Sequence, residues 1–427
     1  MPWKASCTMS LREEFVMLAQ VEGANISALC RRFGISRKCG YKWVDRFRQA
    51  GHDGLHDRPR RPQHSPRHSS EQMEQAVVSV RTRHPAWGPR KLRKLLERWD
   101  PELEHAIPAA STIGRILERH GLIDPQQSQH HQRMTRFEHA HPNELWQMDF
   151  MGHRAMLNGQ RCHPLTVLDD HSRYNLCLRA CGDEQRRTVQ GELIELFGRY
   201  GQPRRILCDN GSPWGNSYDP HERYTKLGVW LMLHGIGIVH GRPCHPQTQG
   251  KDERFHRTLD DELLSREGPM RDLPHSQQRF GEFRQVYNHV RPHEALDLAT
   301  PASRYRVSPR GYDPNPPPPA YWPDDALRKV DAIGKISYHG RCWRMGKAFV
   351  GQYVGLRATD VDGVLKVMFA EQAIGVLDER TRAPSCRGAE PSVAPVAALL
   401  ALPSARPRGT TESVTHVSEQ VLPLTSV

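Results

Sequence analysis

The chain reads as three architectures in series: small all-α units, then a mixed α/β domain, then a small all-β module. Three observations predict this. Up to about residue 122, apolar residues recur at helical spacing, with a short Gly turn between two of the helices. From about 140, strands alternate with helices, which implies a mixed sheet covered by helices. After a Pro-rich break, residues 326–378 alternate as strands around Gly turns, the pattern of a small barrel.

The length of 427 residues allows two to four domains. The 60 Lys+Arg against 48 Asp+Glu give a formal charge of +12, with a pI near 9.3. Such an excess fits a polyanion partner, although a solvated basic surface alone would look the same. No apolar run approaches the roughly 18–20 residues of a membrane span. Residues 1–10 lack an apolar signal core, so a cytoplasmic, non-secreted protein is expected. The 10 cysteines contain no C-x-x-C, which argues against a disulfide framework or a zinc knuckle.

Residues 1–55 are expected to be a helix-turn-helix domain. Asn25 can cap a helix carrying Ile26, Leu29, Cys30 and Phe33 at i, i+3, i+4, i+7. Gly34-Ile35-Ser36 makes a tight turn, with Ser36 as the next cap. The third helix, about 37–49, is expected to bury Tyr41, Val44 and Phe47. It shows Arg37, Lys38, Lys42 and Arg46 to solvent, and Gly51 ends it. Helix, short turn, basic helix is the pattern whose second helix enters a DNA major groove. An ordinary αα-hairpin with a wet basic face is the plain alternative.

Residues 56–69 form a basic Pro-rich linker whose Arg58, Arg60 and Arg61 suit phosphate contact. A second helical unit follows at 70–135. Its 90–99 helix places Leu92, Leu95, Leu96 and Trp99 on one face. Ser111 can cap a last helix with Ile113, Ile116 and Leu117, closed by Gly121. A second helix-turn-helix and a plain helical spacer fit this stretch about equally.

The α/β domain is expected over 136–310. Strands are expected at 145–151, 165–169, 176–180, 205–208 and 236–240, with Asn158-Gly159 as a turn between the first two. A helix at 188–200 ends at Gly201, and a long helix starts near Gln249. Residues 311–325 look like a polyproline linker. The β module spans 326–379, with strands at 330–338, 341–344, 351–358 and 364–369. The tail, 380–427, has a composition expected to be mostly disordered.

Three carboxylates stand out. Asp149 interrupts the apolar run Trp146-Gln147-Met148-Asp149-Phe150-Met151, where desolvation is costly without a partner or metal. Asp209 follows a strand and precedes Asn210-Gly211, the place where open α/β sheets put ligand groups. Glu253 lies in a basic helix, with His256 and Arg257 at i+3 and i+4. Each alone has a plain reading, as a turn or a solvated side chain. Together, on elements that adjoin, they can hold two Mg²⁺ ions, which is what phosphoryl transfer on DNA requires. Lys251, Arg254 and Arg257 could neutralise a DNA backbone.

Five runs carry a family resemblance. They are Leu145-Trp146-Gln147-Met148-Asp149-Phe150, then Leu168-Asp169-Asp170-His171-Ser172-Arg173-Tyr174, then Cys208-Asp209-Asn210-Gly211-Ser212-Pro213-Trp214. The fourth is Arg242-Pro243-Cys244-His245-Pro246-Gln247-Thr248-Gln249-Gly250-Lys251-Asp252-Glu253-Arg254. The fifth is Tyr287-Asn288-His289-Val290-Arg291-Pro292-His293-Glu294-Ala295-Leu296, followed by Thr300-Pro301-Ala302. The region resembles the retroviral-integrase-type catalytic core of DDE transposases of the IS481/IS3 group of bacterial insertion sequences. The Gly54-Leu55-His56-Asp57-Arg58-Pro59 exit from the first domain also fits.

The resemblance implies an RNase H-like fold with a mixed five-stranded sheet. It implies Asp149, Asp209 and Glu253 as metal-binding catalytic acids, with two Mg²⁺ per site, Mn²⁺ able to substitute. It also implies cut-and-paste or copy-and-paste movement of an element by strand cleavage and strand transfer. The partners expected are double-stranded DNA, as terminal inverted repeats and target, and at least one further copy of the chain.

Two departures matter. The 43 residues between Asp209 and Glu253 exceed the usual superfamily gap, and the extra segment, about 217–228, resembles the longer IS481 form. Seven positions after Glu253, where many relatives carry a basic residue, stands Asp260. Asp252 lies beside Glu253, and the motif frame selects Glu253. Asp169 and Asp170 are acidic and near the expected sheet, and Asp170 is expected to be a turn or supporting group, with a metal-ligand role as the alternative. A DNA-binding regulator without catalysis and an RNase H-type nuclease are the rival functions. The β module could serve either DNA or a partner subunit.

Overall fold

The computed structural model of the chain describes residues 8–57, 69–99, 107–123, 138–215, 222–240, 250–381 and 393–396. They divide into two compact units, one ending at Ser70 and one starting at Glu71.

The first unit has α1 (Thr8–Ala19), α2 (Ile26–Arg32), α3 (Arg37–Ala50) and a closing 3₁₀ turn, Gly51–Leu55. Both expected caps form. The Asn25 side chain accepts from the Ala28 N–H and Ser36 accepts from the Cys39 N–H, each cap contributing about 1 kcal/mol. Phe15, Val16, Cys30, Trp43, Val44 and Leu55 make the core. Tyr41 is a correction: it is 52% exposed. The inward stripe of α3 is Gly40, Trp43, Val44 and Phe47, and Tyr41 lies one position off it, about 100° round the helix. Gly40 has a steric reason, since a Cβ there would sit 2.5 Å from the Cys30 sulfur and 2.9 Å from the Phe15 ring.

In the second unit, α4 (Glu71–Arg83), α5 (Pro89–Trp99) and α6 (Ala110–Arg119) close on Val77, Trp87, Leu92, Leu95, Ile113 and Ile116. Two details differ from expectation. Trp99 stays 48% exposed, with the Arg83 guanidinium 4.3 Å above its ring, because the three leucines already fill the inward stripe. Helix α6 starts earlier than expected: Ala109 holds the extended cap position, and Ser111 lies inside the first turn. Trp87, which the pattern does not single out, is buried. It stacks on His84 at 3.9 Å and donates its indole N–H to Glu262 at 3.1 Å.

The central sheet comprises β1 (Leu145–Phe150), β2 (Arg154–Ala155), β3 (Arg161–Asp169), β4 (Asn175–Cys181), β5 (Arg205–Cys208) and β6 (Gly237–His240). Its order is β2-β3-β1-β5-β6, with β4 on β3. The expected five strands are present. The two-residue β2 is an addition that meets β3 where β1 has ended. Strand β3 runs antiparallel to β1 and β4, while β5 and β6 run parallel to β1, so the sheet is mixed.

Helices cover both faces. α7 (Arg186–Tyr200) and α8 (Lys226–Leu233) bury Val189, Leu193, Phe197, Leu227 and Leu231 against Trp146 and Leu165. On the other face lie α9 (Gly250–Leu259), a π-helical turn at Asp260–Leu264, α10 (Ser265–Glu267) and α11 (Leu273–Gln285). They bring Phe255, Leu259, Phe280 and Phe283 to Leu168 and Leu178. A short α12 (Pro301–Arg304) follows. The chain then docks before its Pro-rich run, where the Arg310 guanidinium donates to the carbonyls of Pro203 and Gly235 at 2.6 and 2.8 Å.

The β module has β7 (Ala326–Lys329), β8 (Lys335–Tyr338), β9 (Arg341–Arg344), β10 (Tyr353–Ala358), β11 (Val364–Phe369) and β12 (Gln372–Asp378). A four-stranded antiparallel sheet, β12-β11-β10-β7, shares one core with the β8-β9 hairpin. Of the strand expected at 330–338 only 335–338 forms; the residues before it turn, with Gly334 at φ +85°, and β7 ends at Lys329. Strand β12 was not expected. Trp343 is core, whereas Trp322 is 65% exposed beneath the Arg357 guanidinium. Val229 and Met232 of α8 join this core, so the module is seated on the central domain. Of the expected disordered tail, 393–396 dock: Ala394 bridges Val376 and Val393 enters the core. Arg58, Arg60 and Arg61, and residues 382–392 and 397–427 of the tail, lie outside the described residues.

Candidate active site

Backbone register builds the first half of the site. Strands β1 and β5 are parallel, with Gln147 opposite Leu207. Carried two residues onward, that register sets Asp149 beside Asp209. Both carboxylates are half-buried. The Phe150 N–H donates to Asp149 Oδ1 at 2.8 Å and the Gly211 N–H donates to Asp209 Oδ1 at 3.1 Å. The second contact is the local turn that an Asp-Asn-Gly sequence favours. Strand β6 ends with His240 opposite Cys208, and His240 Nδ1 donates to the Asp209 carbonyl at 2.9 Å.

The acids crowd each other. Burial pushes the Asp149 carboxyl up to about 7, and the negative charges of Asp209, Glu253 and Glu184 add to the shift while the Phe150 N–H opposes it. Burial also raises Asp209, against the Gly211 N–H and the nearby His240. Carboxylates raised by desolvation and by one another lack positive charge, and a cation would supply it.

Helix α9 builds the other half. Asp252 is fully buried, whereas Glu253 is exposed. Thr166, which pairs with Asp149 across β3 and β1, has its hydroxyl 3.1 and 3.2 Å from the two Asp252 oxygens and 2.8 Å from His256 Nε2. One hydroxyl carries one proton. The arrangement is satisfied if His256 Nε2–H donates to Thr166 and Thr166 donates to Asp252. Burial holds the His256 imidazole down to about 4, so it is neutral there, and raises Asp252 well above the usual carboxylate range. Asp149, Asp252 and His256 offer ligand atoms that all lie within 4.8 Å of one another.

The structure thus brings Asp149 to Asp209 and to Asp252, and leaves Glu253 at the rim, where its charge still acts on Asp149. The expected sharing of a face by Glu253 and His256 is corrected. His256 turns inward with Asp252, its i+4 neighbour, and Glu253 turns outward. Lys251 is also not the solvent-facing cation expected. It pairs with Asp170, and its side chain is only 18% exposed. Arg254 and Arg257 are exposed on α9. Asp260 pairs with Arg154 at 2.8 Å. On α3, Arg37, Lys38 and Lys42 are exposed, and Arg46 is half-buried beside Trp43. Glu184 and His240 were not foreseen. Nothing in their local sequence marks them, because the fold alone brings them to the site.

Comparison with known proteins follows the same order along the chain. Residues 11–63 match a helix-turn-helix domain and 39–117 a homeodomain-like domain. Residues 139–246 and 234–301 match integrase core domains, and 325–385 match the IS481 family transposase C-terminal domain. An insertion element IS407 uncharacterized 31.7 kDa protein from Burkholderia multivorans is 25% identical over 250 residues, covering 57% of this chain and 85% of that protein. An insertion element IS476 uncharacterized 39.2 kDa protein from Xanthomonas euvesicatoria is 25% identical over 277 residues, covering 64% and 70%. Among solved structures, the HTLV-2 integrase catalytic core domain in complex with magnesium is 14% identical and covers 39% of this chain and 99% of that one, with a TM-score of 0.30.

Among the described residues no helix is long and apolar enough to cross a membrane. The helix-turn-helix matches indicate DNA binding, and the integrase core indicates DNA transposition or integration with a divalent metal. These segments, in this order, support an IS481-type transposase with an integrase-like core.

Proposed function

We propose that the chain is an active DDE transposase that cleaves DNA at the ends of its insertion element and joins the freed 3′ ends to target DNA. The observation that carries this reading is the placement of Asp149, on β1, near Asp209, which directly follows the adjacent parallel strand β5, each carboxyl raised by burial. Two hard oxygen donors short of positive charge fit Mg²⁺, with Mn²⁺ as a substitute. Glu253 is the third acid, its charge already acting on Asp149 from the rim. When bound, a pair of such ions would supply the charge that activates an attacking hydroxyl and stabilises the leaving oxygen.

The chain's own residues do the rest. Asp149, Asp209 and Glu253 hold the metal. Arg254 and Arg257, exposed on α9 beside Glu253, take backbone phosphates of the bound end. Arg37, Lys38, Lys42 and Arg46 of α3 enter the major groove of the terminal inverted repeat, and Arg58, Arg60 and Arg61 of the linker track its phosphates. Two ends must be joined together, so the working form is a dimer or larger assembly on DNA in a bacterial cytoplasm.

The test uses labelled DNA flanking the gene, with Mg²⁺ or Mn²⁺. Wild type should cleave at a 3′ end and join it to target, while Glu253→Gln and Asp209→Asn should bind but not cleave. Tight end binding without cleavage by wild type would favour a regulator. Cleavage without end preference would favour a nuclease.

A further inference from the structure

The Asp170–Lys251 pair lies outside the acid trio, and its geometry suggests a task. Asp170 follows β3, and its backbone N–H donates to the Leu145 carbonyl at 2.9 Å. Its carboxylate accepts from the His139 N–H at 2.9 Å and from Gln147 Nε2 at 2.8 Å. The third donor is the Lys251 ammonium, which also lies 3.4 Å from the Asp170 carbonyl. The Asp170 side chain is 4% exposed. Three donors engage this carboxylate, and none of these contacts points it toward Asp149 or Asp209.

The chain of contacts has a direction. Gln147 lies on β1 two residues before Asp149, and Lys251 lies on α9 two residues before Glu253. Asp170 touches both. It therefore ties the strand that carries the first acid to the first turn of the helix that carries the third. The next residue, Asp252, is seated separately by Thr166. Two successive side chains at the start of α9 are thus anchored to the sheet, and the third, Glu253, is left facing outward.

We propose that Asp170 is a positioning residue which, through Lys251, sets where α9 presents Glu253. The inference rests on the reading of Glu253 as a metal-binding acid. It reassigns Lys251 from DNA contact to structural cation. Breaking such a pair leaves one buried charge without its partner and lets the helix start shift against β1.

The experiment compares full-length wild type, Asp170→Asn, Lys251→Gln and the double variant, with Asp149→Asn as the metal-site control. Mn²⁺ titration of each protein is read directly, and so are the salt dependence of end binding and the cleavage rate at saturating DNA. Both single variants should need more Mn²⁺ for half-saturation and should cleave about 10–100-fold more slowly. Affinity for the DNA end and its salt slope should match wild type. The double variant should be no worse than the poorer single, since both remove one contact.

The proposal is overturned if Lys251→Gln instead lowers the salt slope by about 1 with Mn²⁺ binding unchanged, the signature of a phosphate contact. It is equally overturned if both variants titrate and cleave like wild type. If Asp170→Asn fails to fold, Lys251→Gln still separates these outcomes. Failure of wild type to cleave at all would count against the transposase reading, and the Mn²⁺ titrations would still decide the positioning role.

Discussion

The two sides of the site are built by different means. On the strand side, Asp149 is held by the pairing of β1 with β3, opposite Thr166, and Asp209 directly follows Cys208, the last paired residue of β5. On the helix side, α9 is seated by buried polar side chains: Lys251 on Asp170, and Asp252 with His256 on Thr166. A register cannot slip without turning every side chain to the other face. A helix seat can shift by an ångström when one contact is lost. The strand side should therefore tolerate substitution around its acids better than the helix side does, and tolerate loss of the acids themselves least.

The largest effect tests that last clause. Asp209→Asn keeps size and hydrogen-bonding shape while removing the charge, so folding should hold. Cleavage should fall by roughly 10³-fold or more, as when a member of a catalytic group is lost. The check is a single-turnover rate with matched circular dichroism. A loss no larger than that of a helix-seat variant would break the distinction between the two sides.

The next effect is on stability. Thr166→Val keeps the β-branched shape of the side chain but removes the hydroxyl that Asp252 and His256 share. Two buried polar groups would then lack that partner, at about 1–3 kcal/mol for an unsatisfied group. At about 2–4 °C per kcal/mol for a mid-sized domain, melting should drop by several degrees. An unchanged melting temperature would show that α9 does not depend on this seat.

A pH effect sharpens the strand side. The folded Asp149 carboxyl sits near 7, above the ordinary value of 3.8. Between those values the folded protein binds more protons than the unfolded chain, so stability is greatest at the acidic end and falls as pH rises through about 7. Without metal, melting should decline from pH 5 to pH 8. Asp149→Asn should flatten the decline, and saturating Mg²⁺ should oppose it. Because the buried His256 and His293 imidazoles, both lowered, push stability the other way below about pH 6.5, the deciding quantity is the difference from Asp149→Asn, and a metal-free wild type whose slope matches that variant would mean that Asp149 is not crowded in solution.

Legibility in the sequence followed the same division. The strand acids could be read because each has a local signature: Asp149 in an apolar run, and Asp209 before Asn-Gly at a strand end. The caps at Asn25 and Ser36 were readable for the same reason, since a cap is a contact three residues long. The seat of α9 was not. Lys251 in a basic helix looks solvent-facing until the fold brings it to Asp170, 81 residues earlier. His256 lies three residues from Glu253 and four from Asp252, so periodicity alone could not say which one it would join. Tyr41 and Trp43 are two positions apart on α3, and which ring turned inward was decided by Cys30 and Phe15 packing against Gly40. Contacts within a few residues could be read, and those between distant segments needed the fold.

The smallest effect lies on the first unit, far from the acids in sequence. Lys38 is exposed on α3, and no core residue depends on it. Lys38→Ala should leave melting unchanged, because surface substitutions usually stay within about 0.5 kcal/mol. If α3 enters the groove and Lys38 meets a phosphate, the slope of log affinity against log salt should fall by about 1. Cleavage at saturating DNA should not change, because this contact delivers the end and takes no part at the acids. The same titration on Lys251→Gln is the direct contrast: one lysine reads out in salt and the other in metal. If both moved only the salt slope, α9 would be a DNA-binding helix like α3, and the seating of Glu253 would have to come from Asp252 and Thr166 alone.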